Sequence, residues 1–220
     1  MTTATAFAGR TQSLDSTRVG TDLRVAFQGE LGAYGDEAIT RHWQGEATAV
    51  PSATFHQVIA DVAHGFADLG IIPVWNTIVG DVEAGLAAIE TGLRSPFLLH
   101  VLGDTRIPVR HQLLGAEGSS LAGIRSVESH PVALAQCAMF LDSHPRITPV
   151  PSYDTAGAAR QLALAGSRTS AAIASSMAAK LYGLSVLQAD IQDVADNVTR
   201  FLIVARTSSR SIDGNGMRRW

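Results

Sequence analysis

The residues whose chemistry stands out lie between Asp196 and Val204, a stretch that begins polar and ends apolar. This pattern predicts a turn that leads into a buried strand, with Thr199 and Arg200 at its mouth. A hydroxyl that donates a proton, beside a guanidinium that is always charged, suits an anionic substrate that must lose an oxygen. Taken alone, the pair is more typical of a strand residue beside a solvated surface arginine.

Two further polar residues, Asn76 and Thr77, follow residues 67–74, an apolar stretch that predicts a buried strand. In open α/β sheets, ligands bind just beyond the carboxyl ends of strands, which makes both side chains site candidates. The alternative is that they only cap a helix that starts near Asp81. The spacing leaves both interpretations open.

A third candidate is the glycine-bearing turn at residues 28–32, which joins an apolar strand at residues 23–27 to a short helix near residues 35–42. Glycines let backbone N–H groups approach a ligand closely, and the N-terminus of the following helix favours negative charge. The spacing is not Gly-x-Gly-x-x-Gly, so a dinucleotide site is excluded. A structural turn without a ligand explains the stretch equally well.

Three helices in the second half are predicted to begin after hydroxyl-bearing or acidic caps. Ser129 is a natural N-cap before a helix with Pro131 in its first turn, and Asp154 caps a helix over residues 156–165. Residues 167–170 precede an alanine-rich stretch, from which a long helix runs to Tyr182. Converging helix N-termini can hold a dianion without lysines, although ordinary capping accounts for the same pattern.

His130 stands at the start of the first of these helices. It can bind a carboxylate there, although a single histidine in this position is more often a structural hydrogen-bond partner.

Strands alternate with helices throughout, which is typical of the α/β class. Residues 97–102 and 107–114 form two extended runs around Gly103-Asp104, which indicates a hairpin or a crossing between lobes. We predict lobe 1 from residues 22–98 plus 195–206 and lobe 2 from residues 99–194. Residues 1–21 and 207–220 are predicted to be flexible tails.

Composition excludes several classes of function. The chain has 220 residues, of which 46% are hydrophobic and 17% charged, enough for a sizeable core. A net charge of -3 gives no basic surface for nucleic acid and no basic helix for a membrane, so we expect a small-molecule ligand. We found no secretion signal or bilayer-spanning run, and one cysteine, Cys137, permits no internal disulfide. A cytoplasmic location is expected.

Five blocks of sequence follow one another in a recognisable order. They are Val25-Ala26-Phe27-Gln28-Gly29 with Gly32-Ala33-Tyr34, Gly70-Ile71-Ile72-Pro73-Val74 with Asn76, Ser129-His130-Pro131 with Ala133-Leu134-Ala135-Gln136-Cys137, residues 171–174 through 181–184, and Asn197 with Thr199-Arg200-Phe201. With these blocks the chain resembles the catalytic domain of prephenate dehydratases over about residues 22–206. The Ser-His-Pro to Gln-Cys block and the Thr-Arg-Phe block would rarely occur together by chance.

The resemblance implies two α/β lobes, similar to type II periplasmic binding proteins, with the site in the cleft between them. It also implies the conversion of prephenate to phenylpyruvate, without cofactor or metal, by a homodimer or higher homo-oligomer. Thr199 would be the proton donor, and Asn76 and Gln136 would orient the substrate. The further substrate contacts implied are Arg200, Phe201, Thr77, Ser129, His130, Ala172, Gly32, Ala33 and Tyr34.

The chain departs from the family pattern at two places. Trp75 stands where the family usually has an acidic residue before the asparagine, and Thr77 stands where serine is common. Because Trp75 cannot relay a proton, the site geometry or the reaction could differ. Too few residues follow Val204 for the family's regulatory domain, so feedback inhibition by that route is not expected.

Three hypotheses follow. The first is prephenate dehydratase, favoured by Thr199, Asn76, Gln136 and Arg200. The second is a non-aromatising prephenate decarboxylase of a specialised pathway, a class that resembles this family but tends to lack the threonine. The third is a binding module that has kept the cleft and lost turnover, with Trp75 as the lesion.

Overall fold

Two β-sheets with packed helices form the protein in a computed structural model that describes residues 23–94 and 99–207. The strands of these residues are β1 (Leu23–Gln28), β2 (Ala47–Ser52), β3 (Leu69–Asn76), β4 (Gly80–Asp81), β5 (Leu99–Pro108), β6 (Gln112–Gly115), β7 (Ser126–Ser129), β8 (Thr148–Pro151), β9 (Ser170–Ala174), β10 (Ser185–Gln188) and β11 (Val198–Arg206). The helices are α1 (Tyr34–His42), α2 (Phe55–His64), α3 (Glu83–Leu93), α4 (Pro131–Ala135), α5 (Ala138–Asp142), α6 (Thr155–Ala165) and α7 (Ser176–Tyr182). The predicted α/β class is confirmed.

Each sheet defines one lobe. The lobe 1 sheet has the order β2-β1-β3-β11-β5, with β4 paired to β3. In it, β1 is parallel to β2 and β3, whereas β11 is antiparallel to β3 and β5. The lobe 2 sheet has the order β10-β6-β9-β7-β8, with β7 parallel to β8 and β9. The chain thus leaves lobe 1 after β5 and returns to the interior of its sheet through β11.

Two apolar clusters lie on the outer faces of the sheets. One packs α2 and α3 against the lobe 1 sheet and includes Val58, Ile72 and Val204. The other packs α4 and α5 against the lobe 2 sheet and includes Leu134 and Ile173. Each helix turns its apolar stripe toward its sheet, so the hydrophobic effect fixes both layers.

A third apolar cluster is shared by the lobes and fixes how they meet. It joins Phe27 of β1 and Ile39 of α1 to Ala178 of α7. At the same junction, Ser175 Oγ donates a 2.7 Å hydrogen bond to the carbonyl of Gly32. Gly32 has a φ of +88°, and an added Cβ would lie 2.9 Å from the Cα of Ala178. Only glycine lets the two lobes approach this closely here.

Helix ends follow the capping signals of the sequence. Thr54 Oγ1 accepts a hydrogen bond from the N–H of Gln57 at 3.1 Å, and α2 ends at Gly65, which has a positive φ. Asp154 Oδ1 likewise accepts from the N–H of Gly157 at 2.8 Å at the start of α6. Caps of this kind stabilise a protein by about 1 kcal/mol each.

The predicted hairpin at Gly103-Asp104 is wrong, because β5 continues through this pair as one strand. Gly103 lies opposite Ile203 of β11, and the register shifts between Ile203 and Val204. Such a β-bulge absorbs a residue without reversing the chain. The alternative, a crossing between lobes, occurs after Pro108.

The position of β5 also changes the predicted lobe boundary. β5 pairs with β11 in the lobe 1 sheet. The predicted boundary between residues 98 and 99 therefore lies before β5, whereas the chain changes sheets after it. Lobe 1, defined by its sheet, includes residues 99–108 in addition to the predicted ones.

Two predicted helices of lobe 2 also differ in the structure. The alanine-rich stretch forms β9, at the centre of the lobe 2 sheet, and the following helix is the short α7, which begins at Ser176. The helix predicted after Ser129 is capped by His130 instead. It is also interrupted at Gln136-Cys137, between α4 and α5. Gln136, a predicted site residue, lies at this interruption.

The sequence did not predict β2, which forms the edge of the lobe 1 sheet. The predicted flexible tails, residues 1–21 and 207–220, lie outside the described residues apart from Thr207. Within the described ranges, we found no helix with the length and apolar character needed to span a bilayer.

Candidate active site

A cleft of about 290 Å³ lies where the two lobes meet. Most of its walls are apolar and come from Phe27, Phe55, Ile71, Pro73, Val79, Val82, Val109, Val132 and Phe201. Its polar side chains come from both lobes and the segment between them: Gln28, Tyr34, Asn76, His111, His130, Gln136, Asp154, Thr155 and Thr199. An apolar cavity with a few convergent polar groups is typical of a small-molecule site.

Strand pairing brings Asn76 and Thr199 together at this cleft. Asn76, the last residue of β3, lies directly opposite Thr199 of β11, so their side chains share a face. Asn76 Nδ2 donates to Thr199 Oγ1 at 2.9 Å. The other end of the Asn76 amide is fixed as well, because its Oδ1 accepts from the N–H groups of Ile78 and Val79 at 3.0 and 3.2 Å. The carboxamide therefore has one allowed orientation.

This orientation leaves the hydroxyl proton of Thr199 available. Thr199 Oγ1 accepts from Asn76, and no hydrogen bond from the hydroxyl to another described residue is found. The half-buried side chain lines the cleft. Thr199 can therefore donate to a ligand, while the amide of Asn76 stabilises negative charge that develops on its oxygen.

Lobe 2 contributes Gln136, at the interruption between α4 and α5. Asn197 Nδ2 donates to Gln136 Oε1 at 3.0 Å, and Asn76 Nδ2 donates to Asn197 Oδ1 at 2.7 Å. Asn197 is fully buried and Gln136 is 8% exposed, so these bonds satisfy groups that water cannot reach. Among the described residues, none accepts a hydrogen bond from Gln136 Nε2. That nitrogen is a free donor in a side chain that lines the cleft.

His111 contacts Gln136 from the segment between β5 and β6. Its Nε2 lies 2.9 Å from Gln136 Oε1, and its Nδ1 lies 2.8 Å from the hydroxyl of Tyr34. Burial lowers the pKa of His111, although the hydrogen bond with Gln136 acts in the opposite direction. At neutral pH the imidazole is therefore uncharged.

Fixed charge is sparse in the cleft. None of the described residues that line it is lysine or arginine. The pKa of the lining carboxyl group, Asp154, is raised first by burial and further by Glu30, against hydrogen bonds from backbone N–H groups that include Gly157. At the start of α1, the N-cap Ala33 provides no side-chain acceptor. Backbone N–H groups of this first turn have no side-chain cap, although the same turn carries the carboxyl groups of Asp36 and Glu37.

Seven of the predicted site residues meet at the cleft. They are Thr199, Asn76, Gln136, Phe201, His130, Ala33 and Tyr34. His130 also has the structural role that the sequence left open, since its Nδ1 accepts from the N–H of Val132 at 3.2 Å. Asn76 and Thr77 do not cap α3, whose N-cap is Val82.

Arg200 lies away from the cleft, contrary to the prediction. Successive side chains alternate across a strand, so Arg200 faces the side of β11 opposite to Thr199. Its Nε donates to Asp104 Oδ2 at 2.8 Å. Trp75 pairs with Arg200 in register, is 38% exposed and is likewise absent from the cleft walls. Trp75 thus lies on the outer face of the sheet and outside the cleft walls.

Four other predicted contacts are also absent from the cleft walls. Ser129 is fully buried, and its Oγ donates to the carbonyl of Ile173 at 2.6 Å. Thr77 exchanges hydrogen bonds with the backbone of β11. Gly32 packs against α7, and Ala172 is fully buried in the core that the lobes share. These four residues therefore have structural roles outside the cleft walls.

Three residues with a role in the site, Asn197, Asp154 and His111, were not predicted as site residues. The sequence carries a signal for Asn197, because this residue belongs to the same block as Thr199. Asp154 was predicted only as a helix cap, and it both caps α6 and lines the cleft. His111 had no local signal, since it lies in a run that the sequence predicted as a strand. Only the folded chain brings it to Gln136.

Cys137, next to Gln136, does not act as a nucleophile. It is fully buried, and burial first, then Asp193, raises the pKa of its thiol to about 12. The reactive thiolate is therefore not populated at neutral pH. In the described ranges, no three histidine, cysteine, aspartate or glutamate side chains are grouped to hold a metal ion.

The fold and the cleft define an α/β protein of two lobes with a small-molecule site that presents a hydroxyl donor and a carboxamide donor to its ligand. The sequence profile described as prephenate dehydratase (PDT) matches residues 25–209. The chain belongs to the prephenate dehydratase family.

Relatives and solved structures agree with this family. Arogenate dehydratase/prephenate dehydratase 2, chloroplastic, of Arabidopsis thaliana is 38% identical over 195 residues, 89% of this chain and 49% of the relative. A bifunctional N-acyl-homoserine lactone acylase/prephenate dehydratase of Komagataeibacter europaeus is 38% identical over 185 residues, 83% of this chain and 62% of the relative. The crystal structure of a prephenate dehydratase from Arthrobacter aurescens in complex with L-Phe has 31% identity and a TM-score of 0.76, over 85% of this chain and 61% of that one. This chain spans about half the length of the plant relatives.

Proposed function

We propose that the protein catalyses the decarboxylative dehydration of prephenate to phenylpyruvate. The observation that carries the proposal is the pair formed by Asn76 and Thr199 at the cleft wall. The hydroxyl oxygen of Thr199 already accepts a 2.9 Å hydrogen bond, so its proton is free for a departing hydroxyl group. Family membership supports the same reaction.

The reaction needs one proton and no redox partner. The ring carboxylate leaves as carbon dioxide, and the electron pair of that bond enters the ring as the carbon–oxygen bond across the ring breaks. The departing hydroxyl takes a proton from Thr199 and leaves as water, and Thr199 regains a proton from solvent. Because the ring becomes aromatic, the driving force comes from the substrate, and the protein mainly positions it.

Asn76, and not Arg200, stabilises the oxygen of Thr199 after proton donation. A threonine hydroxyl is a weak acid, so its donation depends on stabilising the oxygen that it leaves behind. The amide of Asn76 donates to that oxygen, whereas Arg200 is held by Asp104 outside the cleft. A preorganised donor of this kind accounts for about 10²-fold to 10³-fold in rate.

The described walls of the cleft carry no lysine or arginine, so the two carboxylates of prephenate must be bound by neutral hydrogen-bond donors. Gln136 Nε2 is one free donor, and the N-terminus of α1 at Ala33 offers backbone N–H groups. Phe27, Phe201 and the other apolar walls surround the ring and limit water, which strengthens each of these hydrogen bonds.

Product identification tests the proposal. Purified protein is incubated with prephenate, and the products are separated and identified by mass and absorbance. We expect phenylpyruvate and carbon dioxide in equal amounts. A dihydro-4-hydroxyphenylpyruvate product would instead assign a non-aromatising decarboxylase, and prephenate and arogenate that are both bound but unchanged would assign a binding module. Either outcome overturns the proposal.

Arogenate is the second candidate substrate, and Asp154 favours it. Arogenate carries an ammonium group where prephenate carries a keto group. The one carboxyl group on the described cleft walls, Asp154, would repel a dianion and attract an ammonium group. Plant relatives are named for both substrates.

Substituting Asp154 separates the two substrates. Asparagine also caps helices, so Asp154→Asn removes the charge and retains the start of α6. If Asp154 binds the ammonium group, kcat/KM for arogenate should fall about 10-fold or more in this variant, while kcat/KM for prephenate stays level or rises. An equal change for both substrates would assign Asp154 to the helix cap alone.

The expected cytoplasmic location and homo-oligomeric assembly remain proposals. The single cysteine and its buried, protonated thiol suit a reducing compartment. Sedimentation of the purified protein tests the assembly: a particle of at least twice the chain mass of 23.2 kDa is expected, and a monomer at micromolar concentration would contradict it.

A further inference from the structure

Hydrogen bonds fix both the backbone and the imidazole ring of His111. The residue is 2% exposed and lies between the end of β5 and the start of β6. Its N–H donates to Gln192 Oε1 at 2.8 Å, and its carbonyl accepts from the N–H of Ile191 at 2.9 Å. Both backbone groups are thus satisfied, and the imidazole ring meets Gln136 and Tyr34 in one position.

The backbone near Asn76 fixes which atoms donate and which accept in the hydrogen bonds between Asn76, Asn197 and Gln136. The N–H groups of Ile78 and Val79 can only donate, so they require the oxygen of the Asn76 carboxamide. Its nitrogen must then face Asn197 and Thr199. The backbone thereby sets the orientation of the first amide.

The fixed pattern of donors and acceptors extends to His111. Asn197 must present Oδ1 to Asn76, so its nitrogen donates to Gln136 Oε1. That oxygen can only accept, which requires a proton on the Nε2 of His111 at 2.9 Å. The bare Nδ1 can then accept from the hydroxyl of Tyr34 at 2.8 Å, although the carbonyl of Arg110, at 3.0 Å, is a second acceptor for the same proton. One tautomer of His111 satisfies all of these bonds.

The protonation states agree with this tautomer. Burial lowers the pKa of His111, so the ring is neutral at neutral pH. Burial also raises the pKa of the Tyr34 hydroxyl, with Glu37 acting in the same direction, so this hydroxyl keeps its proton. Tyr34 can therefore donate to Nδ1.

We propose that His111 is a positioning residue that, together with Asn197, sets which end of the Gln136 carboxamide the substrate meets. Its Nε2–H holds Gln136 Oε1 toward the protein, so Nε2 faces the cleft. The inference rests on the proposed function, because it assigns that nitrogen to a carboxylate of the substrate. A reversed amide would turn an acceptor toward the anion and lose the hydrogen bond.

Two donors share the oxygen of Gln136, and their removal has different consequences. Asn197 is held by Asn76, so it still directs the amide when His111 is replaced. His111→Leu leaves the oxygen with one donor instead of two and replaces the imidazole by an apolar side chain of similar volume. His111→Gln keeps an N–H donor on a side chain of similar reach.

Kinetics of these variants test the inference. For His111→Leu we expect KM to rise about 10-fold with kcat changed less than about threefold, and for His111→Gln a KM near that of the wild type. Gln136→Met removes the donor to the substrate. In that background His111→Leu should add nothing to KM, because its effect passes through Gln136. Additive effects on KM, or a parallel fall in kcat and melting temperature, would show a merely structural role.

Nitrogen NMR of the wild-type imidazole gives a readout that needs no turnover. His111 is identified among the seven histidines by the signal that His111→Gln removes. We expect a neutral ring with its proton on Nε2 at pH 7. A proton on Nδ1, or a charged ring, would overturn the inference even if prephenate is converted.

Failure of the proposed function and failure of the positioning role of His111 give different experimental results. If the wild type converts neither prephenate nor arogenate, the proposed function fails and the role of Gln136 toward the substrate fails with it. If the wild type is active but His111→Leu binds substrate as tightly as the wild type, only the positioning role is overturned.

Discussion

At the scale of single residues, neighbours in sequence have separate tasks because side chains alternate along a strand. Thr199 and Phe201 line the cleft, whereas Arg200 between them pairs with Asp104 on the other face of β11. Asn76 and Trp75 divide in the same way on β3. The chemistry therefore depends on every second residue, and substitutions between them are expected to be mild.

Trp75→Glu tests this separation directly. The side chain of Trp75 is exposed and stands outside the cleft walls. We expect kcat/KM to change less than about threefold. The matched substitution at the neighbouring cleft position, Asn76→Leu, should reduce kcat by about 10²-fold. If Trp75→Glu reduced turnover as strongly as Asn76→Leu, Trp75 would belong to the site after all.

The stability of the protein should report the burial of Asp154. Its pKa is raised in the folded state, so the folded protein binds this proton more tightly than the unfolded chain. Stability is then lost as pH rises from the ordinary aspartate range through the raised pKa. Asp154→Asn cannot ionise, so it should be more stable than the wild type at pH 7 and equal to it at about pH 3.5.

Denaturant unfolding at the two pH values measures this difference. A gain that is the same at both pH values would mean that burial of the charge is not its cause. A gain confined to neutral pH would show that the cleft keeps a carboxyl group at the expense of stability, as functional sites commonly do.

Site residues that lie in recognisable sequence blocks could be predicted from the sequence. Site residues that only the fold brings together could not. Thr199, Asn76 and Gln136 came from blocks with a family resemblance. The strand alternation that removes Arg200 from the cleft could have been derived from the predicted strand alone. His111 could not, because its contact with Gln136 depends on how the chain crosses between the lobes.

At the scale of elements, local signals were overruled where tertiary pairing was stronger. A Gly-Asp pair usually marks a turn, but β5 continues through it because β11 supplies partners on both sides of a bulge. Small alanines favour a helix locally, yet β9 lies between β6 and β7, where their size suits the packing of α6. Capping signals, which are local in their physics, were reliable for α2 and α6.

Gly32 and Gly45 form a matched pair that tests the close approach of elements. Both have positive φ, but an added Cβ at Gly32 would lie 2.9 Å from the Cα of Ala178, whereas nothing lies within 4 Å at Gly45. Gly45→Ala should destabilise by about 1 kcal/mol from backbone strain alone. Gly32→Ala should destabilise by about 3 kcal/mol or more, because strain and overpacking add.

The free energies of unfolding of Gly32→Ala and Gly45→Ala distinguish backbone strain alone from strain combined with overpacking. Equal losses would show that α7 yields to the new methyl group and that the junction between the lobes is not tightly packed. A larger loss at Gly32 would confirm that this turn fixes the start of α1 at the cleft.

At the scale of the whole molecule, the two lobes share one core and build one site. Phe27 and Ile39 of lobe 1 pack with the helices of lobe 2, and the chain of amides from Asn76 to Gln136 crosses between the lobes behind the cleft. The hydroxyl donor comes from lobe 1 and the carboxamide donor from lobe 2. The site is therefore complete only when both lobes are folded and joined.

In the proposed reaction, this joined site releases carbon dioxide and water together, with the proton from Thr199. Thr199→Val, which keeps the shape and removes the hydroxyl, tests it most directly when carbon dioxide and aromatic product are measured in one reaction. We expect both rates to fall together by about 10²-fold or more with KM little changed, and Thr199→Ser to retain most of the activity. A Thr199→Val variant that forms aromatic product as fast as the wild type would contradict the account.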